Sequence, residues 1–196
     1  MTIHAGAERS AAPDVVAIAP FNHARIAPQM SSFRIGHGYD IHRLQAGGRL
    51  VLGGVVVATD ISPIAHSDGD VVIHAIADAL LGALGLGDIG EHFPDTDPRF
   101  RGVASVTFLE KIRSEHLRSA ALVAVHCDVT IMAQQPRLAP FKKQMREFLH
   151  NAIGCDVNIK AGTNEGCGEI GRGEAIAAHA VVLLAPSSTL ESGRSR

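Results

Sequence analysis

One run of fourteen residues, V-V-I-H-A-I-A-D-A-L-L-G-A-L at 71–84, constrains the fold more than any other segment. Its length and composition predict a helix that begins at Ser67 or Asp68, since both residue types are natural N-caps. This helix is apolar on most of its sides, so it has to be buried among other elements. The chain has 196 residues, 46% of them hydrophobic, which is enough to build one compact domain around the helix.

The other periodic segments predict strands and helices in mixed order. Strands are predicted at 33–42, 49–57, 121–133, 156–161 and 175–184, and further helices at 103–116 and 140–153. A loop rich in Gly, Asp and Pro is predicted at 85–102. Because strands and helices do not alternate strictly, the pattern predicts an α+β fold with helices packed on one face of a mixed sheet.

The two ends of the chain differ from its middle in composition. Residues 1–32 are rich in Ala, Pro, Ser and His, show no sustained apolar period and lack the features of a secretory signal. They are expected to form a disordered N-terminal extension, and residues 186–196 a disordered tail. The folded domain is therefore expected to span 33–185.

Charge and composition argue against several classes of partner. The net charge is −2, only 4% of residues are aromatic and Trp is absent, so no nucleic-acid partner is expected. No apolar run approaches the roughly 20 residues of a membrane span, and no membrane association is expected. The three cysteines, Cys127, Cys155 and Cys167, form no C-x-x-C pair. This pattern predicts a reducing cytoplasm and no disulfide framework.

A candidate metal site follows from the spacing of three residues. Asp40 and His42 lie two positions apart in a predicted strand, so their side chains share one face. Zinc takes carboxylate and imidazole ligands, and a catalytic zinc usually has three protein ligands and one open position. His74 in the apolar helix is the candidate third ligand, and Asp70 or Asp78, one turn to either side, could orient its ring.

The spacing alone leaves a structural alternative open. In that alternative, His74 is a core histidine hydrogen-bonded to Asp78, and Asp70 stabilises the dipole of the helix.

Five segments extend the pattern beyond these ligands. They are G-H-G-Y-D-I-H at 36–42, A-H-S-D-G-D-V-V-I-H at 65–74, L-G-D-I-G-E-H-F-P-D-T-D-P at 86–98, D-V-T-I-M-A-Q-Q-P-R-L-A-P at 128–140 and G-R-G-E at 171–174. In content and order they resemble the 2-C-methyl-D-erythritol 2,4-cyclodiphosphate synthase family, over about residues 33–185. The resemblance implies a homotrimer with active sites between adjacent subunits.

The resemblance also implies a reaction and its metal ions. The substrate would be 4-diphosphocytidyl-2-C-methyl-D-erythritol 2-phosphate, whose 2-phosphate attacks the β-phosphorus, so that CMP leaves and a cyclic diphosphate forms. Zn²⁺, or another divalent transition metal, is expected near the β-phosphate, and Mg²⁺ or Mn²⁺ between the α- and β-phosphates. An anionic nucleophile attacking an anionic diphosphate needs charge neutralisation and alignment more than a strong base.

The resemblance further implies roles for individual residues. The matching metal ligands are Asp40, His42 and His74. The implied catalytic residues are His66, Thr163 and Glu165, which stabilise the transition state, contact a phosphate and bind magnesium, respectively.

The implied substrate contacts form several groups. The segments 40–42 and 66–67 contribute Asp40, Ile41, His42, His66 and Ser67. The erythritol unit is assigned to Asp88, Ile89, Gly90, Phe93, Pro94, Asp95, Thr96 and Asp97. The cytidine pocket is assigned to Ala133, Gln134, Gln135, Pro136, Arg137, Leu138 and Ala139. A later loop is expected to supply further substrate contacts from Gly162, Thr163, Asn164, Glu165, Glu169 and Arg172. For D-I-G at 88–90 and P-D-T-D at 94–97, ordinary turn chemistry is the alternative.

The segment K-A-G-T-N-E-G-C-G-E-I-G-R at 160–172 departs from the family pattern. Gly162 replaces a threonine and is expected to weaken nucleotide binding, and Cys167 replaces a leucine. Glu169 replaces a phenylalanine near the threefold axis, where Arg172 is expected to pair with it. Two alternatives stay open: a diverged, non-catalytic zinc-binding trimer that binds a phosphorylated metabolite, and a general zinc hydrolase.

Overall fold

The computed structural model describes residues 33–100 and 102–191. Its strands are β1 (Arg34–Ala46), β2 (Leu50–Leu52), β3 (Val55–Ala58), β4 (Ile61–Pro63), β5 (Leu122–Met132), β6 (Asp156–Gly162) and β7 (Ala175–Pro186). Its helices are α1 (Val71–Leu84), α2 (Ile89–His92), α3 (Val106–Lys111), α4 (Lys142–Ile153), α5 (Gly168–Gly171) and α6 (Ser188–Glu191). A π-helical turn (Ile112–Leu117) continues α3, and 3₁₀ turns occur at Pro98–Phe100 and Ala139–Phe141.

Five of the strands form one mixed sheet in the order β4-β1-β7-β5-β6, while β2 and β3 form a separate hairpin. All neighbours in the large sheet are antiparallel except β5 and β6, which are parallel. A parallel pair needs a crossover connection, and α4 lies within it. The prediction of an α+β fold with a mixed sheet is confirmed. Helix α5, however, packs through Ile170 against Ala175 and Ala177 on the other face of β7, so the helices do not all lie on one face.

Helix α1 lies directly on the inner face of β1. All of its residues except Asp78 and Gly82 are buried, as the apolar run predicts. Gly36 and Gly38 allow the close approach: a Cβ atom at Gly38 would lie 2.0 Å from the carbonyl oxygen of Ala75. The missing side chains of two strand residues therefore set the distance between β1 and the helix, and with it the position of the site described below.

Three predicted elements differ from the observed ones. The predicted strand at 49–57 is a hairpin, because Gly53 and Gly54 turn the chain with φ of 54° and 76°. Helix α1 begins after Asp70, not at Ser67 or Asp68, since Asp70 is the residue that accepts the free backbone N–H groups. The predicted loop at 85–102 contains α2, whose four residues are too few to give a periodic signal.

The predicted disordered tail begins too early. Strand β7 continues to Pro186, and residues 188–191 form α6. The predicted N-terminal extension at 1–32 and the last five residues, 192–196, lie outside the described residues. Within the described part of the chain, no helix is both long and apolar enough to cross a membrane.

Candidate metal and substrate site

The three predicted metal ligands converge where α1 crosses β1. Asp40 and His42 point from β1 towards the helix, and His74 points back from α1. One ligand atom from each of the three lies within 4.8 Å of the others. Asp40 Oδ2 is 2.8 Å from His74 Nδ1 and 3.4 Å from His42 Nε2. The i, i+2 spacing therefore does place both strand residues on the face that meets the helix histidine.

The protonation of the triad is set by burial and by mutual charge. Burial opposes ionisation of Asp40, but its hydrogen bond to His74 and the charges of both histidines hold its pKa below the ordinary value. Burial also lowers the pKa of His42, so this ring is neutral at pH 7. For His74, the bond to Asp40 and nearby carboxylates outweigh burial and raise the pKa. Without a metal, His74 thus donates from Nδ1 to the Asp40 carboxylate, and the two form an ion pair wherever His74 is protonated.

The triad fits a divalent transition metal. His42 Nε2 is buried and has no hydrogen-bond partner among residues 33–100 and 102–191, although a buried ring nitrogen ordinarily has one. It faces an anionic oxygen and a second imidazole, which is the donor set of a His₂-carboxylate zinc site. A metal ion would give this nitrogen its missing partner and would replace the proton shared by Asp40 and His74.

The two aspartates predicted to orient His74 accept backbone N–H bonds instead. Asp70 is fully buried and caps α1, accepting backbone N–H bonds from residues 72 and 73 at 3.1 and 3.2 Å. It also accepts bonds from Gly53 at 2.9 Å and Gly54 at 2.7 Å, which ties the β2–β3 turn to the helix. Burial raises its pKa to about 6 despite these donors. Asp78 instead accepts the backbone N–H of Ile89 at 2.8 Å. The prediction for both residues is wrong, and the alternative bond from His74 to Asp78 is absent as well.

A residue that the sequence did not indicate contacts His74 instead. Ser105 Oγ lies 2.8 Å from His74 Nε2, and the same hydroxyl bonds to the carboxylate of Asp68. Ser67 Oγ lies 3.2 Å from the same ring nitrogen. Ser105 is 31 residues from His74 and has no spacing relation to it, so only the tertiary fold shows the contact.

The triad lines a cavity of about 460 Å³. Seven further predicted site residues line it too: His66, Ser67, Ile89, Gly90, Phe93, Pro94 and Asp95. The cavity is closed on its apolar side by Ile64, Phe100 and Phe108, which the sequence did not indicate. Polar groups and an apolar wall thus meet beside the candidate metal ligands, as is common for small-molecule sites.

Four predicted residues of this group do not line the cavity. Ile41 is exposed on the opposite face of β1, because neighbouring strand residues point to opposite sides. Asp88 caps α2 through the N–H of Glu91 at 3.0 Å, which is the turn chemistry of the alternative. Asp97 binds Arg99, with 2.6 Å between Oδ2 and Nη2, and Thr96 is exposed beside it.

The predicted cytidine segment lines a second, smaller cavity of about 190 Å³. Ala133, Gln134, Pro136, Arg137, Leu138 and Ala139 contribute to it together with Gly162 and Thr163, whereas Gln135, Asn164 and Glu165 do not. Gln134 Oε1 is buried there without a hydrogen-bond partner among the described residues. The two cavities share no lining residue, so one copy of the chain holds the predicted site as two separate halves.

The loop after β6 holds the other predicted residues. Thr163 Oγ1 donates to Glu165 Oε1 at 2.6 Å, so these two predicted catalytic groups satisfy each other here. Arg172 binds Glu174 through two bonds of 2.9 and 3.0 Å and lies 3.6 Å from Glu169. The predicted pairing of Arg172 with Glu169 is therefore present, but Glu174 is the closer partner.

A larger cavity, of about 660 Å³, contains none of the predicted residues. It lies between the start of β5, the π-helical turn and the end of α4. Volume alone does not mark the site, because the carboxylate and imidazole groups that could bind a metal converge in the smaller cavity.

The structure thus defines an α+β protein in which a mixed sheet presents a His₂-carboxylate triad, able to hold a divalent metal, to a polar and apolar cavity. The chain belongs to the YgbB family, whose model matches residues 33–185. The 2-C-methyl-D-erythritol 2,4-cyclodiphosphate synthase of Trichlorobacter lovleyi is 51% identical over 156 residues, covering 78% of this chain and 99% of that protein. The predicted family is confirmed.

Solved structures agree with this assignment. The IspF of Plasmodium falciparum, solved as a CDP complex, has a TM-score of 0.70 and 33% identity, over 80% of this chain and 97% of that one. The bifunctional IspDF of Campylobacter jejuni has a TM-score of 0.75 and 37% identity. That match covers 79% of this chain, which spans only 42% of the bifunctional protein.

Proposed function

We infer that the chain is a metal-dependent phosphorus–oxygen lyase of isoprenoid precursor biosynthesis. It converts 4-diphosphocytidyl-2-C-methyl-D-erythritol 2-phosphate to 2-C-methyl-D-erythritol 2,4-cyclodiphosphate and CMP. The observation that carries the inference is the Asp40–His42–His74 triad in the wall of the 460 Å³ cavity, in a chain 51% identical to a named synthase. We propose 33–185 as the catalytic domain and, given three free thiols, the cytoplasm as its location.

In this reaction, an oxygen of the 2-phosphate bonds to the β-phosphorus. The bond from that phosphorus to the oxygen bridging to the α-phosphorus breaks, and CMP leaves with this oxygen. No water is consumed, so the residues have to align two anions and reduce their repulsion. Held by Asp40, His42 and His74, Zn²⁺ or another divalent transition metal would supply Lewis-acid stabilisation of phosphoryl charge.

The cavity beside the triad suits the phosphate and polyol parts of the substrate. His66 is exposed and lines the cavity, where a hydrogen-bonding imidazole can stabilise charge that develops on phosphate oxygens. Ser67 offers a hydroxyl next to His74. The Asp95 carboxylate can accept protons from hydroxyl groups, which is what a polyol requires.

The second cavity suits the nucleotide. Gln134 Oε1 is a buried acceptor without a partner, and the amino group of a cytosine is a donor that could satisfy it. Thr163 and Glu165 lie in the loop beside this cavity. We propose that Thr163 contacts a phosphate and that Glu165 would hold a Mg²⁺ or Mn²⁺ ion, which would neutralise phosphate charge, since such ions prefer oxygen ligands.

We further propose that the protein works as a homotrimer whose sites lie between subunits. The outer face of β1 and β7 exposes Ile35 (71%), Tyr39 (44%), Ile41, Val181 and Leu183. An apolar sheet face of this kind is ordinarily covered by another layer. The separation of the two cavities on one chain supports sites completed by the neighbouring copy.

The cyclase is tested by supplying the diphosphocytidyl substrate with Zn²⁺ and Mg²⁺. Equal amounts of CMP and of the cyclic diphosphate are expected, measured by chromatography and by ³¹P NMR, and His42→Ala is expected to abolish both. CMP release with a linear phosphate product would indicate a hydrolase. Substrate binding without any CMP release would indicate the non-catalytic trimer.

The shared site is tested by mixing two inactive variants. His42→Ala damages the metal half and Thr163→Ala the nucleotide half, so the two variants retain complementary halves. After unfolding and refolding together, about a quarter of the sites in a randomly mixed cyclic trimer would combine two intact halves. Activity that returns on mixing supports the trimer with shared sites, and a monomer mass by light scattering contradicts it.

The weakened nucleotide half is tested at Gly162. No atom lies within 4 Å of the position of an added Cβ, and φ is not in the left-handed region, so a threonine fits. One hydrogen bond to a charged group contributes about 1.5–3 kcal/mol, so Gly162→Thr is expected to lower KM about tenfold or more. Because the bond is made in ground and transition states alike, kcat should change little. An unchanged KM would show that the replaced threonine is not a nucleotide contact.

A further inference from the structure

Ser105 has contacts that the fold alone does not require. It is fully buried and occupies the N-cap position of α3, where a serine hydroxyl ordinarily accepts a backbone N–H bond from the first turn. Ser105 makes no such bond. Its hydroxyl bonds instead to Asp68 Oδ1 and lies 2.8 Å from His74 Nε2. Asp68 Oδ2 accepts the backbone N–H of Ser105 at 3.0 Å, so the carboxylate holds this serine at two points.

The direction of these hydrogen bonds follows from the chemistry of the groups. A carboxylate only accepts, so Ser105 has to donate its single hydroxyl proton to Asp68. The lone pairs of Ser105 Oγ are then the part of the hydroxyl that faces His74, and they accept a proton from Nε2–H. This arrangement calls for a proton on Nε2 of His74. Nδ1, 2.8 Å from Asp40 Oδ2, donates to that carboxylate in the metal-free protein, and loss of this proton on metal binding would leave its lone pair directed at the triad.

We propose that Asp68 and Ser105 are positioning residues that fix the tautomer and the ring orientation of His74, so that Nδ1 is ready to bind the metal. The proposal rests on the proposed metal site. Ser67 Oγ also lies 3.2 Å from His74 Nε2, but its contacts in the described residues include no carboxylate. Its hydroxyl can therefore rotate between donor and acceptor, whereas that of Ser105 cannot.

Asp68→Asn tests the proposal with almost no change of shape. Asp68 Oδ1 also accepts the backbone N–H of Asp70 at 3.3 Å, but the Ser105 N–H is closer to Oδ2, at 3.0 Å. The amide oxygen is therefore expected to face the Ser105 N–H, and the amide nitrogen to face Ser105 Oγ and donate to it. The serine proton is then released towards His74 Nε2, which favours the wrong tautomer, with hydrogen on Nδ1. Loss of such outer contacts typically weakens metal binding about 10–100-fold, and this range is expected for Asp68→Asn and for Ser105→Ala.

Two measurements on the full chain decide the matter. Zinc affinity is measured by competition with a chromophoric chelator, and a double-mutant cycle of Asp68→Asn with Ser105→Ala tests whether Asp68 acts through the serine. The double variant is expected to lose no more affinity than Ser105→Ala alone, whereas independent loosening at two positions would give losses that add. Ser105→Thr, which keeps the hydroxyl, should bind zinc nearly as the wild type does. Ser114→Ala, at an exposed serine whose hydroxyl contacts only the Lys111 carbonyl at 3.4 Å, is the matched control.

Wild-type zinc affinity in both Asp68→Asn and Ser105→Ala, or losses that add in the double variant, would overturn the proposal. Circular dichroism of each variant separates this result from a folding defect. Neither measurement uses substrate, so an inactive wild type would contradict the proposed function while leaving this proposal testable on zinc alone.

Discussion

Replacing Gly38 by alanine is expected to weaken both the fold and the metal site, because Gly38 sets the distance between β1 and α1. The new Cβ would lie 2.0 Å from the carbonyl oxygen of Ala75 and 2.8 Å from the nitrogen of Ala79. Close carbon–oxygen contacts lie at about 3.3–3.6 Å, so the helix has to move away by at least about 1.3 Å. Backbone atoms cannot rotate aside as the end of a long side chain could.

The same movement separates His74 from Asp40 and His42, since the metal ligands belong to the two elements that are forced apart. Overpacking of this kind typically costs about 1–3 kcal/mol of folding free energy. Metal–ligand distances tolerate only about 0.2 Å of change, so zinc affinity is expected to fall about tenfold or more. Urea unfolding of the metal-free protein and zinc competition titration measure the two effects.

Gly82→Ala provides the matched control on the same helix. Its added Cβ would meet only the carbonyl oxygen of His37, at 4.0 Å, which is an ordinary contact. Alanine is favoured over glycine within a helix by about 1 kcal/mol, so this variant should be slightly more stable and bind zinc normally. If Gly38→Ala matched Gly82→Ala in stability and zinc affinity, the argument that strand glycines position the site would be refuted.

Two further predictions concern the charges at this crossing. In the metal-free protein, the lowered pKa of Asp40 gives stability that is lost as pH falls below its ordinary value of 3.8. The raised pKa of His74 gives stability that is present below 6.5 and lost as pH rises through the raised value. The difference in unfolding free energy between wild type and Asp40→Asn should therefore be largest between pH 3.8 and pH 6.5. Zinc affinity should rise with pH as the His74 proton is released. A stability difference that does not change with pH would contradict the ion pair. Asp70→Ala removes the α1 cap and the acceptor for the backbone N–H groups of Gly53 and Gly54. Urea unfolding is expected to show a loss of about 2–4 kcal/mol, and a smaller loss for Asp70→Asn. Equal stability of the wild type and both variants would show that the cap contributes nothing.

The sequence predicted those parts of the structure that depend on local periodicity. The two-residue spacing in β1 and a histidine within the apolar run of α1 made Asp40, His42 and His74 a candidate site, and the family resemblance supported the same three residues. The β2–β3 hairpin was missed because its strands have only three and four residues, so that the apolar run looked continuous across Gly53 and Gly54.

The parts that the sequence did not predict depend on long-range contacts. Asp70 and Asp78 were natural candidates to orient His74 because they lie one turn away on the same helix. The backbone offers both of them nearer N–H donors, however, and the ring is met by Ser105 from another element. No periodicity connects residues that far apart, since their contact is decided by how α3 packs beside α1.

Strand β1 uses both of its faces, and this limits how its length can change. One face carries Asp40 and His42 towards the helix, and the other carries Ile35, Tyr39 and Ile41 outward. Inserting or deleting a single residue between Gly36 and Asp40 would exchange the faces, so that the ligands point outward and bulky side chains meet the carbonyl groups of α1. Functional relatives should therefore keep the spacing from Gly36 to His42 constant. Differences in length should be confined to turns such as the one at Gly47, where no atom lies within 4 Å of an added Cβ.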